Sequence, residues 1–307
     1  MNEHRPRYVS SIRLALLIVC VMPPLLLPAD VIINEIGYNP SEEFPFEYEF
    51  VELFNPANSS IDLSGYAFTD GIAFRIPDGT VLSSQGFLLI VRDPSHSTWR
   101  NRPAKVLGPY IGILDKGGEL LRLRSPSGDV ADEVTYDDSP PWPRGADGYG
   151  STLERVHSSE PSDNPYSWRS SLATGGTPGL PNSVAGLLAR PVMTSWSVSP
   201  SHPRSSDEVR VEVVLEGEAG KIRRVDLRYE RWNTLSKDTL QTIQMEYVAS
   251  RDRQTQYRAA IPPHPTQSLI RFNWRVVLTD GTTLILPHIA EPRPFESYFV
   301  YNGEIPS

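Results

Sequence analysis

The chain of 307 residues is long enough for two domains of ordinary size, each able to bury most of its unfolded surface without disulfides. A formal charge of −8 argues against a nucleic-acid partner, whose phosphates require a basic face, and a hydrophobic share of 39% argues against disorder over the bulk of the chain. With 29 prolines and 21 glycines spread along it and no sustained 3.6-residue apolar period, the sequence predicts an all-β protein of short strands joined by turns.

At the start, Arg5, Arg7 and Arg13 precede the apolar run LALLIVCVMPPLLLPA, which ends on the small residue Ala29. A basic head, an apolar centre and a small residue at the cut describe a signal peptide over 1–29, cleaved between Ala29 and Asp30. A retained membrane anchor is the alternative. Pro23 and Pro24 weigh against it, because they break the run short of the roughly 20 apolar residues a spanning helix needs. A lipid on Cys20 is opposed by bulky Val19. Cys20 is the only cysteine, so the mature chain would have none, which excludes disulfides, thiol catalysis and cysteine-based zinc sites. Cleavage removes three arginines and Glu3 and takes the formal charge from −8 to −10, a charge repelled by anionic lipid. The expected location is secreted, periplasmic or at the cell surface, with no membrane contact after cleavage.

Over 30–182, strand-like segments stand between turn signals. VIINEIGYNP (31–40) runs apolar and then places Asn34 and Glu35 where a strand should continue, and YEFVELFNP (48–56) does the same with Glu52. Strand parity puts Glu52 with Tyr48, Phe50 and Phe54, and Glu35 with Val31 and Ile33. GYAFTD, IAFRI, GFLLIVRD, ELLRLRS and DVADEVTY follow, each bounded by turn residues. In ELLRLRS, Leu121 and Leu123 point one way and Arg122 and Arg124 the other. The turns PDG (77–79), KGG (116–118) and PSGD (126–129) supply the positive-φ positions that hairpins need. The segment is expected to form an immunoglobulin-like β-sandwich. It closes on TGGTPGLPN (174–182), which reads as a linker that cannot hold regular structure.

After a linker at 183–190, the second half alternates more regularly. Val209, Val211, Val213 and Leu215 share one face, as do Val225, Leu227 and Tyr229, and again Ile270, Phe272, Trp274, Val276 and Leu278. Period-two patterning of this length marks antiparallel strands with one buried and one wet face. Roughly seven strands fit within 191–292, the size of a fibronectin type III or immunoglobulin-like sandwich. Residues 293–307 read as a linker-like tail.

Catalytic motifs are sparse. No G-x-S-x-G elbow occurs; DGYGST (147–152) lacks its spacing. His96, His157, His202, His264 and His288 are scattered, with none of the close pairs that zinc sites use. The carboxylates Glu35, Glu52, Asp70, Glu133, Asp137, Asp138 and Asp147 fall in the first domain. A glycosidase would need two of them about 5–10 Å apart across a cleft, and Glu35 with Glu52 is the pair to consider. The other reading, which we prefer, has these two accepting hydrogen bonds within the fold. No calcium loop is present, so calcium is possible without motif support and no cofactor is expected. Trp142, Tyr166 and Trp168 lie in loop-like text, either as a binding surface or, preferred here, as a plug for the open end of the sandwich. Asn58-Ser59-Ser60 fits the N-glycosylation pattern, meaningful only in a host that glycosylates.

The ordered segments INEIGYNP, YEFVELFNP, LSGYAFTDGIAFRIPDG, GFLLIVRDP, DKGGELLRLRSPSGDVADEVTYDD, PWPRGADGYGSTLERV and GGTPGLPN resemble the bacterial lamin tail domain over 30–182. The resemblance implies an immunoglobulin-like sandwich in which Glu35 and Glu52 belong to recurring strand signatures with no catalytic role attached, and it carries over no functional residue. A second sandwich followed by PFESYFVYNGEIPS (294–307) resembles secreted bacterial proteins in which such domains precede a CotH-type kinase domain, whose catalytic elements do not occur here. The reading that follows is an exported, non-enzymatic binding or scaffolding module for an unknown protein or glycan partner. The accessory region of a secreted CotH-type kinase and a carbohydrate-active hydrolase using Glu35 and Glu52 are the alternatives.

Overall fold

The computed structural model describes residues 31–39, 41, 48–186, 191–217, 219–232, 238–289 and 291–303. The leader, its Ala29–Asp30 cut and Cys20 lie outside the described residues. The first unit contains β1 (Ile32–Gly37), β2 (Phe50–Phe54), β3 (Ile61–Asp62), β4 (Ala67–Asp70), β5 (Phe74–Arg75), β6 (Val81–Leu82), β7 (Phe87–Val91), β8 (Lys105–Leu107), β9 (Gly118–Arg124), β10 (Val130–Asp137), β11 (Leu153–Arg155) and β12 (Trp168–Ser170). One sheet runs β12-β11-β1-β2-β7-β8, the other β10-β9-β4-β5, and β3 pairs with β6. Alternation in each strand sends Ile33, Val51, Leu53, Leu88 and Ile90 from one sheet against Phe68, Leu121, Leu123, Val134 and Tyr136 from the other. Gly79, Gly118 and Gly128 take φ of 76°, 105° and 93° in the three expected turns. On the outer face, Arg122 lies between Asp70 and Glu133, at 3.3 and 2.6 Å.

Two expectations need correction in this unit. Glu35 does not share a face with Val31 and Ile33. The register of β1 against β2 shifts between Ile33 and Glu35, and this bulge turns Glu35 to the outer face beside Glu52. The segment 174–182 forms no strand, yet it is no free linker. It folds back as a strap across the outer face of β1, β2 and β11, with Gly175 and Gly176 at φ of 75° and 74°.

The second unit contains β13 (Val192–Ser199), β14 (Val209–Glu216), β15 (Ile222–Trp232), β16 (Gln241–Gln244), β17 (Glu246–Arg251), β18 (Gln254–Ile261), β19 (Ser268–Leu278), β20 (Thr283–Leu286) and β21 (Glu296–Val300). Its sheets are β13-β14-β18-β17 and β16-β15-β19-β20, with β21 paired to the other half of β19. All the inward residues named from alternation are buried. Residues 296–300, expected within a linker-like tail, form an edge strand instead. Tyr298 and Val300 face the core, as the alternation of ESYFV allows. The described residues form an all-β protein of two immunoglobulin-like sandwiches.

Candidate functional site

The bulge in β1 places three carboxylates side by side. Glu35 is the cross-strand partner of Glu52 on one side and of Glu154 on the other, so all three project from one face of adjacent strands. The strap closes over them. Glu35 Oε1 accepts from the Thr152 hydroxyl (2.6 Å) and the Thr177 amide (3.0 Å). Glu52 accepts from Asn34 Nδ2 (2.8 Å) and the Gly179 amide (2.6 Å). Glu154 accepts from the hydroxyls of Thr177 (2.7 Å) and Ser183 (2.6 Å). Asn34 and Asn182 bond each other at 2.8 Å and pin the far end of the strap.

Burial pushes all three carboxyls above their ordinary range. Glu52 rises to about 8, and for Glu35 the neighbouring Glu52 and Glu154 charges push further in the same direction. Glu52 therefore holds a proton at neutral pH. Glu35 and Glu52 are each 0% exposed. They face a strap rather than a cleft, so the geometry gives a sugar no access to them, and the hydrolase alternative loses its acid and nucleophile. Glu154 completes the group and was not singled out from the sequence. STLERV, with two charged residues and only Leu153 and Val156 apolar, gives no sign that Glu154 is buried.

The other sequence candidates are dispersed. Asp70 and Glu133 pair with Arg122, Asp137 and Asp138 bond the Ser139 turn, and Asp147 accepts from Asn39 at 2.6 Å. His96, His157 and His202 bond near neighbours in their own loops, and His264 packs on Tyr229. Among the described residues, no three His, Cys, Asp or Glu side chains are grouped so as to hold a metal ion.

A second site lies between the sandwiches. The prolines and Trp142 of the 140–144 loop face β13 and the 286–296 segment across a cleft of about 660 Å³. Trp142 and Trp168 tilt together at 6.3 Å and close the end of the first core, as the plug reading expects. Trp142 also lines the cleft, with Tyr166 and Trp196 half-buried and Tyr149 60% exposed. Glu291 spans the junction: it accepts from the Ser170 hydroxyl (3.0 Å) and the Arg144 amide (2.9 Å). Burial raises its carboxyl all the same. Burial, with Arg169 beside it, lowers His288 to about 4, so this ring is neutral at physiological pH. Arg169 itself donates to the carbonyls of Tyr166 (3.0 Å) and Trp168 (2.7 Å).

The class defined by these features is a two-sandwich β-protein with a ring-lined cleft at the domain junction. Residues 27–138 match the family model of the Lamin Tail Domain, an immunoglobulin-like domain. This supports the resemblance read from the sequence, over a span that stops short of β11, β12 and the strap. No curated protein matches the chain. Solved structures with some likeness include a cycloalternan-forming enzyme from Listeria monocytogenes in complex with a pentasaccharide substrate, at 14% identity and a TM-score of 0.26 over 38% of this chain and 9% of that one. A cycloalternan-degrading enzyme from Trueperella pyogenes gives 14% and 0.24 over 33% and 14%. Astrotactin-2, a vertebrate-specific, perforin-like membrane protein, gives 15% and 0.23 over 62% and 36%. The chain thus spans a small part of each, and likeness at these scores carries no argument about function.

Proposed function

We propose that this chain is an exported, non-enzymatic binding module that engages a protein or glycan at the cell surface or outside the cell through the cleft between its sandwiches. The observation that supports this reading is the cleft itself. It has the size of a ligand site, four aromatic rings and a few polar groups on its walls, and it lies at a domain interface, where such sites concentrate. The buried carboxylate cluster, by contrast, is accounted for by the strap it anchors. The basic-apolar leader supports export.

Two measurements test it. N-terminal sequencing of the protein recovered outside the cytoplasm should begin at Asp30; recovery only from the cytoplasm with the leader intact would remove the export half. The purified full mature chain should bind one member of a panel of cell-wall glycans and surface proteins, and Tyr149→Ala should weaken that binding while leaving the melting temperature unchanged. Binding indifferent to Tyr149→Ala, or release of cleavage products from any glycan, would overturn the cleft reading.

A further inference from the structure

The strap over the first sandwich is fastened by groups that titrate. The Thr177 amide donates to Glu35 and the Gly179 amide to Glu52. Glu154 takes the Thr177 and Ser183 hydroxyls and the Val184 amide (3.2 Å). Other ties join Asn182 to Asn34 and the Arg155 carbonyl, the Tyr48 hydroxyl to the Gly175 carbonyl (3.1 Å), and the Gly175 amide to the Gly150 carbonyl (2.6 Å). No side chain of 172–183 belongs to a hydrophobic core. A segment held by polar bonds rather than apolar burial can part from its strands while the sheets stay packed.

Every donor to the three carboxyls is neutral, and the charged groups nearby turn elsewhere. Arg155, beside Glu154 on β11, reaches Asp132 on the opposite face. Arg169, the cross-strand partner of Glu154 on β12, donates to the Tyr166 and Trp168 carbonyls. Arg102 donates to the Tyr48 hydroxyl (2.9 Å), which burial pushes up. Lys105 is exposed beside Ala104, against which Gly179 packs, and TGGTPGLPN itself carries no charge. Neutral donors suit one ionised carboxyl. A second and third on adjacent strands, with no cation between them and Glu35 Oε2 unbonded, would set like charges together out of water.

We infer that the strap is a pH-gated latch, closed while the cluster keeps protons and released as its carboxyls ionise. Release bares the outer face of β1, β2 and β11 and adds the strap to the connection ahead of the second sandwich. The sign follows from burial, which raises all three carboxyls in the closed state. Once bared they return toward the ordinary value near 4.3, so closure is complete below that value and is lost as pH rises through the folded ones. The latch does not depend on the cleft being a binding site.

Hydrogen exchange on the full mature chain tests it, read as protection factors so that the intrinsic pH dependence of exchange cancels. Protection of the Thr177 and Gly179 amides should fall about a hundredfold or more between pH 5 and pH 9. It should also lie at least about tenfold below that of β9 and β10 amides throughout, because the strap opens with the sheets still packed. Glu35→Gln keeps the acceptor for Thr152 and Thr177, so its strap should be protected like wild type at pH 5 and lose about tenfold less by pH 9. Strap protection that is flat with pH would overturn the latch. So would strap and β9–β10 amides of equal protection at every pH, which means opening only by global unfolding. An unchanged pH dependence in Glu35→Gln would overturn it as well, since the fastening proton would then lie outside the cluster.

Discussion

At the scale of single residues, the carboxylate cluster has a consequence opposite to that of most surface acids. A carboxyl whose folded pKa is raised contributes stability that is complete below its unfolded value, near 4.3 for Glu, and is lost as pH rises through the folded value. Glu52, pushed by burial to about 8, and Glu35 and Glu154, raised in the same direction, therefore make the first sandwich less stable from weakly acidic to alkaline pH. Glu35→Gln isolates the effect. Oε1 keeps its acceptor role toward Thr152 and Thr177, while Oε2, which has no partner, becomes an amide that cannot ionise. The fall in melting temperature between pH 5 and pH 9 should shrink by roughly a third in this variant, as expected when one of three coupled groups stops titrating. An unchanged slope would place the proton elsewhere. Gly176 sets the height of the strap over the same carboxylate: a Cβ there would overlap Glu35 Oε1 and the Thr152 hydroxyl, at a φ of 74°. Gly176→Ala should cost about 2–5 kcal/mol in urea unfolding, from the left-handed backbone and the overpacking together.

At the scale of elements, the two sheets of the first sandwich are tied at one edge by a buried ion pair. Asp132 on β10 accepts from the Ile33 amide (2.8 Å) and from Arg155 of β11 (3.1 Å), and the Ser162 hydroxyl bonds its other oxygen. Burial pushes Asp132 up and Arg155 down despite their mutual attraction, which marks the pair as costly to bury and costlier to break. Asp132→Ala should lower stability by about 3–5 kcal/mol by stranding the Arg155 charge, and adding Arg155→Met should recover part of that loss in urea titrations. Neither residue announced itself in the sequence, because DVADEVTY reads as an ordinary half-exposed strand. Legibility followed period. Where alternation ran uninterrupted, as in β14, β15 and β19, every inward residue was readable. It failed at the Ile33–Glu35 bulge, since one inserted residue reverses parity and leaves no compositional trace. It failed again for Asp226 and Glu230, polar positions of β15 that are buried because Arg224, Arg275 and Trp232 fold over them. The strap carries no period at all. Its role comes from contacts with strands more than a hundred residues away, such as Thr177 with Glu35 and Gly179 with Glu52. The ring-lined cleft was half legible: Trp142 and Tyr166 were visible as loop aromatics, whereas Arg144, Arg293 and Trp196 belong to it only through the docking of two domains.

At the scale of the whole molecule, two sandwiches in one chain move relative to each other unless something ties them together. Glu291 is the tie. It belongs to the second unit, yet its carboxylate is spent on Ser170 and the backbone of the 144–145 turn in the first. Its removal leaves both cores untouched, because neither hydrophobic cluster includes it. Glu291→Ala should therefore uncouple the sandwiches without unfolding either. Two hydrogen bonds to a charged acceptor correspond to a coupling of about 2–4 kcal/mol. In scanning calorimetry this loss should split a joint transition into two, and in small-angle scattering the radius of gyration should increase. The cleft exists only while the domains are docked, so ligand affinity should fall in the same variant, by the fraction of time the walls spend apart. A variant that lost affinity with no change in scattering would make Glu291 a ligand contact instead of a tie. One that kept affinity while its domains separated would show that a single sandwich carries the binding surface.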